Sequence, residues 1–273
     1  MTIKLLVTDL DGTLLNHKKE ISKRNALAIQ RAQAKGIKVT FATGRMHAAA
    51  AKFAKSMAID LPIITCNGAL LKTCDDEVIF EQYIQQSVAR EAIEFCLAKD
   101  WHIQWYIHDE LYVNEMKPDT WTGYEDVLKI PIREAKGNLE AYSRGVVQMV
   151  ILDKKGQIKT IAPHIRERFD GRLDTPITSD YCIDVVPVGT NKAVGIEHLA
   201  KMYGIDRSEI MAIGDSDNDL AMLKYAGFGV AMGNAFDSTK AIADVITTDV
   251  EADGFAHAVE KYILNGLFSL SKE

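Results

Sequence analysis

Three short apolar runs open the chain, Ile3 to Thr8, Ile37 to Ala42 and Pro62 to Cys66, and two stretches of helical spacing separate them. Each run has the length of a buried strand. The first intervening helix is predicted from a Ser22 cap, with Leu27, Ile29 and Ala32 inward, to a stop at Gly36; the second spans His47 to Met57. Strands that alternate with helices in this way form a parallel sheet, because a parallel neighbour is reached only by a crossover, and that crossover is right-handed. The constraint is strong: ligands of such sheets bind beyond the carboxyl ends of the strands.

The alternation stops after Asn67. Ala69 to Thr73 and Val78 to Tyr83 read as a hairpin around the polar turn Asp75 to Glu77. From there to about Pro187, two helices near Ser87 to Lys99 and Gly156 to Arg168 stand among short strands such as His102 to Ile107 and Val146 to Leu152. Alternation then resumes with a helix from Thr190 to Tyr203 closed by Gly204, a strand Ile210 to Ile213, a helix near Asn218 to Tyr225 and a strand Gly227 to Ala231. The expected architecture is α/β: a Rossmann-like parallel-sheet core of residues 1–83 and 188–273, with an inserted α+β cap domain at 84–187. An insertion of roughly 100 residues is large enough for a core of its own. It holds Trp101, Trp105 and Trp121, each read first as part of that core. No internal repeat, low-complexity segment or long linker interrupts the pattern.

Composition narrows the function. With 47% apolar and 26% charged residues the 273-residue chain is globular material, and 32 basic against 38 acidic residues argue against broad nucleic-acid binding. No apolar run approaches the roughly 20 residues of a membrane helix, and Met1 to Asp11 is too short and too acidic at its end for a signal peptide, so a cytoplasmic location is expected. Cys66, Cys74, Cys96 and Cys182 lack zinc-type or CxxC spacing and are read as reduced structural thiols. No exposed apolar stripe points to a partner, and the oligomeric state is open.

Four segments fall just beyond predicted strands or at a helix start: "VTDLDGT" at Val7 to Thr13, "FATGR" at Phe41 to Arg45, "TNK" at Thr190 to Lys192 and "IGDSDND" at Ile213 to Asp219. Together they supply carboxylates, a hydroxyl and an ammonium, the groups that metal-assisted phosphoryl transfer uses. In the first, one of Asp9 and Asp11 can attack phosphorus while the other exchanges a proton with the leaving oxygen and then with water, and Gly12 lets the chain turn. A plain Asx turn is the competing reading. Thr43 and Gly44 suit a phosphate at a helix start, or a simple N-cap. Lys192 sits in the first turn of its helix, where its charge opposes the macrodipole, which raises the case for a functional task; a solvated surface lysine, as most lysines are, is the competing reading. Asp215, Asp217 and Asp219 repel one another unless a cation or a lysine neutralises them; the spacing is too short for a twelve-residue Ca2+ loop and suits Mg2+ better, and a helix start rich in caps is the alternative.

In this order the four segments resemble the motifs of the haloacid dehalogenase superfamily of phosphatases. The resemblance is closest to Cof-type hydrolases, through "CNGA" at Cys66 to Ala69, "VAMGNA" at Val230 to Ala235 and "DGF" at Asp253 to Phe255, and it covers essentially the whole chain. It implies that Asp9 is the nucleophile, Asp11 the general acid and base, and Thr43, Gly44, Lys192 and Asn218 the phosphate ligands. It further implies that Mg2+ is held by the Asp9 carboxylate, the Asp11 backbone carbonyl and Asp215, with Asp219 anchoring the site from behind or through a water on the metal. Asp217 receives no role. An aspartate at the second catalytic position favours hydrolysis over dehalogenation, since an alcohol oxygen needs a proton and a halide does not. Substrate selectivity is expected from Arg45, Asn67, Asp180, Tyr181 and Asp184. The expected substrate is a small phosphorylated metabolite, sugar phosphates first, with nucleotide or cofactor phosphates (flavin mononucleotide, pyridoxal phosphate) as alternatives. A non-catalytic phosphometabolite sensor is a further reading. A signalling receiver domain fits less well, since its phospho-acceptor follows a middle strand and it carries no inserted domain.

Overall fold

The computed structural model describes residues 2–116, 130–153 and 155–267. β1 (Leu5–Thr8), α1 (Lys23–Ala34), β2 (Lys38–Phe41), α2 (His47–Ser56) and β3 (Ile63–Thr65) follow one another as the apolar spacing predicts. β4 (Leu70–Lys72) and β5 (Val78–Glu81) then form the hairpin. The inserted segment contributes α3 (Gln86–Ala98), β6 (His102–Ile107), β7 (Glu110–Val113), β8 (Ile132–Glu134), α4 (Leu139–Tyr142), β9 (Val146–Leu152), α5 (Ile158–Arg168), β10 (Leu173–Asp174), β11 (Ile177–Ser179) and β12 (Cys182–Pro187). After it come α6 (Lys192–Tyr203), β13 (Ile210–Gly214), α7 (Leu220–Tyr225), β14 (Phe228–Ala231), α8 (Asp237–Ile242), β15 (Val245–Ile246) and α9 (Gly254–Ala258).

The core sheet runs β15-β14-β13-β1-β2, with every pairing parallel. β1 lies at its centre, Thr8 level with Ile213 on one side and Phe41 on the other. The residues that follow β13, β1 and β2 therefore emerge side by side. β3 joins β2 only through a parallel bridge between Ala42 and Ile64, because it turns to pair antiparallel with β4. The third strand is thus the hinge between the parallel sheet and the hairpin rather than a full member of the sheet.

One inward position on α1 differs from expectation. Leu27 is exposed, and the buried stripe is Asn25, Ala28, Ile29 and Ala32. Its first member is polar, and hydrogen bonds repay its burial: the Asn25 amide donates to the Leu14 carbonyl and accepts from the Ala256 N–H. An apolar count along the helix passes over such a residue.

The cap sheet runs β10-β12-β9-β6-β7-β8, antiparallel except where β7 and β8 run together. Side chains alternate across it. Trp105 and Met149 pack with α3 and α5 residues on one face, whereas Tyr106, Val147 and Val150 pack on the other against Met46, Ala49 and Cys66 of the core. Covering on both faces explains why β9, "VVQMVIL", is buried along its whole length. Trp105 is fully buried in the cap core and half-buried Trp101 packs on Phe95, as their reading as core residues requires; Trp121 lies outside the described residues.

The β6–β7 turn fastens the cap to the core. Both turn residues, His108 and Asp109, have left-handed φ values. The Asp109 carboxylate receives Lys72 Nζ at 2.6 Å and the backbone N–H of Ala48, in the first turn of α2, at 3.3 Å. Buried His47 stands 3.7 Å away through Nδ1. A partly buried carboxylate with a charged donor is the type of contact whose one-sided removal is costly. Asp109→Ala is expected to lower the unfolding free energy by about 2 kcal/mol and to speed amide exchange in β6 and β7. Urea denaturation with exchange mass spectrometry checks this, and an unchanged midpoint and exchange pattern would refute the fastening role.

Candidate active site

The four segments singled out in the sequence meet at the carboxyl end of β1. Asp9 follows β1 directly and is 4% exposed; its N–H donates to the Ile213 carbonyl, which continues the ladder with β13 past the end of the strand. Lys192, from the first turn of α6, is fully buried and donates to Asp9 Oδ1 and Asp219 Oδ1, both at 2.6 Å. Lys192 is therefore not a solvated surface lysine. Burial alone lowers an ammonium's affinity for its proton, but the charges of Asp219 and Asp9 carry Lys192 above the ordinary lysine range.

Asp219 has no oxygen to spare. Oδ1 takes Lys192, and Oδ2 accepts from the N–H groups of Asp215 and Ser216 at 2.8 and 3.0 Å. Its carboxylate fixes the loop that carries Asp215. The Asp215 side chain points toward Asp9 and accepts from Thr13 Oγ1 at 2.8 Å. Gly12 makes this approach possible: it has φ +81°, and a Cβ there would lie 2.5 Å from Asp215 Oδ2.

Asp9, Asp215 and Asp219 bring carboxylate oxygens within 4.8 Å of one another, close enough to share one metal ion. Burial pushes the Asp9 carboxyl up to about 7, Lys192 pulls against that, and Asp219 and Asp11 add to the rise. Burial, with the charges of Asp9 and Asp219, also drives Asp215 well above the usual carboxylate range. One lysine does not balance three acids. The imbalance, and the hardness of the oxygen donors, fit a divalent cation between Asp9 and Asp215.

Asp11 is turned the other way. Arg45 holds its Oδ2 and Oδ1 at 2.5 and 2.7 Å, and Lys19 reaches Oδ1 at 2.8 Å. Burial would raise this carboxyl, but the hydrogen bonds and charge of Arg45, with Lys19 behind them, hold it well below the usual range. Thr43 is buried beyond β2, where its Oγ1 accepts from the Arg45 N–H and its carbonyl from the Asn67 N–H.

Two cap residues close on this centre. Asn67 Nδ2 donates to Asp184 Oδ2 at 2.7 Å and to Gln148 Oε1 at 3.1 Å, and Gln148 Nε2 donates to the Gly44 carbonyl at 3.0 Å. Asn218 Nδ2 completes the chain at Asn67 Oδ1, 2.8 Å away. Burial pushes Asp184 up to about 6 against the pull of Asn67 and the Cys182 thiol. Arg45, Asn67 and Asp184 are thus gathered at the centre. Asp180 and Tyr181 are exposed at the β11–β12 turn, where Asp180 pairs with Lys159 and Tyr181 bonds to Asp153 through its carbonyl, all within the cap. The four cysteines are unpaired, and burial holds the Cys66 thiol well above its ordinary range, away from a thiolate nucleophile. Asp217 accepts from Ser238 Oγ at the rim. Sequence reasoning missed Gln148, although a glutamine inside a wholly apolar strand was a signal. It also missed Lys19, which reaches Asp11 only through a left-handed turn that no motif marks.

Comparison with known proteins agrees with this geometry. The family model of haloacid dehalogenase-like hydrolases matches residues 6–259. A 5-amino-6-(5-phospho-D-ribitylamino)uracil phosphatase of Bacillus subtilis is 28% identical over 271 residues, 94% of this chain and 97% of that one. A pyridoxal phosphate phosphatase of Escherichia coli is 26% identical, across 97% of this chain and 100% of its own. The solved structure of a sugar phosphatase of subclass IIB of the same superfamily superposes with a TM-score of 0.82 at 28% identity, covering 95% of this chain and 98% of that one. No helix among the described residues is long and apolar enough to cross a membrane. With its parallel-sheet core, its strand-end carboxylates around a buried lysine and a family match along nearly its whole length, the chain belongs to the Cof-type haloacid dehalogenase-like hydrolases and is a phosphoric monoester hydrolase.

Proposed function

We propose that this phosphatase hydrolyses a phosphorylated small metabolite, a sugar phosphate first among them, through an aspartyl-phosphate on Asp9. The observation that carries the reading is the buried bridge from Lys192 to Asp9 and Asp219, which fixes one Asp9 oxygen and leaves the other for phosphorus. The catalytic core comprises residues 1–83 and 188–273 and the cap 84–187. Thr43, Gly44, Lys192 and Asn218 bind the phosphoryl oxygens. Mg2+ is the proposed metal, held by the Asp9 carboxylate, the Asp11 backbone carbonyl and Asp215; when bound it offsets the charge of the carboxylates and of the phosphoryl group. Asp219 is left out of that set because both its oxygens are taken.

In the first step Asp9 forms a bond to phosphorus while the bond to the leaving oxygen breaks, and Asp11 supplies that oxygen with a proton. In the second, water attacks phosphorus, Asp11 takes the water's proton, and Asp9 is released with inorganic phosphate. The pairing with Arg45 and Lys19 keeps Asp11 ionised, the form that the second step uses. Its proton-donating form requires those cations to give way, and a phosphoryl dianion beside Arg45 favours that. Arg45, Asn67 and Asp184, together with Gln148, are the proposed contacts to the leaving group nearest the phosphorus, while Asp180 and Tyr181 fit such a role less well because they are exposed and bonded within the cap.

Asp9→Asn is expected to abolish turnover of p-nitrophenyl phosphate with Mg2+ while circular dichroism and the melting curve stay native-like, since an amide of the same shape is a poor nucleophile. Phosphate release near the wild-type rate sinks the mechanism.

The metal reading has its own pH signature. Because Asp9 and Asp215 are both raised in the folded protein, the stability they contribute without metal is present below the ordinary carboxylate range and is lost as pH rises, for Asp9 through about 7. A divalent cation favours their ionised forms, so Mg2+ should raise the melting temperature far more at pH 8 than at pH 5. At a hundredfold excess over Kd the gain is about 2.7 kcal/mol, and Asp215→Asn should remove most of it. Equal shifts at the two pH values, or an unchanged shift in the variant, place the metal elsewhere.

A further inference from the structure

A cleft of about 710 Å3 opens between cap and core, and Asn67 and Asn218, hydrogen-bonded to each other, both line it. It is large enough for the organic part of a metabolite. Three carboxylates line it, Asp170 and Asp174 from the cap and Asp217 from the core, against a single cation among its lining residues, Arg166. The guanidinium, carried by α5, is turned onto the segment between β10 and β11, with Nε on Thr175 Oγ1 at 3.3 Å and Nη2 on the Thr175 carbonyl at 3.1 Å. Asp174 accepts from the Gly189 N–H and Asp217 from Ser238 Oγ, both neutral donors, so the negative charge of the wall is left standing.

Thr190 lies in the same wall, with its hydroxyl itself buried rather than open to the cleft. Leu173 and Ile177 from the cap and Leu220 from the core give the cleft an apolar side as well.

We infer that the leaving group of the substrate occupies this cleft, and that the cleft selects hydroxylated leaving groups that are neutral or cationic over those that carry a second anion. The inference rests on the phosphatase reading above and adds the charge class of the substrate to it. The phosphoryl group enters on the Lys192 side beside Asn218, the ester oxygen leads past the Asn67–Asn218 pair, and the remainder meets the three carboxylates. An ammonium or hydroxyl donates to them, whereas a carboxylate or a second phosphate is repelled.

The test measures binding apart from turnover. In the Asp9→Asn protein with Mg2+, calorimetry compares two pairs of matched size, glucosamine 6-phosphate with 6-phosphogluconate, and phosphoethanolamine with phosphoglycolate. The cationic member of each pair should bind at least about tenfold more tightly. Asp170→Lys in the same background should narrow both ratios about threefold or more; Asp170 is exposed at the rim, so folding is spared. Equal or tighter binding of the anionic members, ratios that ignore Asp170→Lys, or no binding by any of the four overturns the inference. Release of nitrophenol from p-nitrophenyl phosphate by the unmodified protein tests the phosphatase reading separately. Turnover without charge discrimination defeats only the cleft proposal, and discrimination without turnover defeats only the phosphatase reading.

Discussion

Carboxylates within a metal ion's reach of one another cannot be buried together without cations, and the centre of this molecule is organised around that electrostatic debt. Lys192 answers part of it from inside the protein, with one ammonium shared between Asp9 and Asp219 at full burial. Removing Lys192 from this bridge would leave two buried carboxylates uncompensated, which costs far more than the intact bridge contributes. The arrangement therefore dictates its surroundings. α6 must start where its first turn can reach under β1, and the Asp215 loop must return over Asp219 so that backbone N–H groups occupy the oxygen that Lys192 does not take.

The parallel sheet makes this economical in chain. Because β13, β1 and β2 are adjacent and all run the same way, three loops distant in sequence arrive at one edge with no further device. The cap uses the opposite principle. Its sheet is antiparallel in most pairings, has helices on one face and the core domain on the other, and thereby turns its second face into one wall of the candidate site. Gln148 and Asp184 occupy that face on neighbouring strands, β9 and β12.

This division also explains what could be read from the residues alone. Asp9, Thr43 and Asp215 were legible because each follows an apolar run, and strand ends of a parallel sheet are where chemistry sits. Lys192 was legible because its charge stands at the wrong end of a helix. Gln148 and Lys19 were not found, for different reasons. The meaning of Gln148 depends on a sheet covered on both faces, a fact of tertiary packing, and Lys19 depends on a turn whose left-handed residue carries no glycine or asparagine to mark it. Leu27 shows the converse error: an apolar residue drew attention from Asn25, whose burial is supported by partners more than ten residues away in sequence.

The loop from Cys66 to Gly68 holds all three residues at positive φ, 49°, 54° and 95°, packed so closely on the start of α6 that a Cβ on Gly68 would lie 2.1 Å from the Asn191 carbonyl oxygen. Asparagine tolerates that region and glycine occupies it freely, but a cysteine there costs roughly 1–2 kcal/mol. The strain presents Asn67 to the cap and to Asn218 at once. Variants selected only for heat resistance therefore have a standing incentive to relax this loop, and the first thing such a lineage loses is the contact that ties Gln148 and Asp184 of the cap to Asn218 of the core.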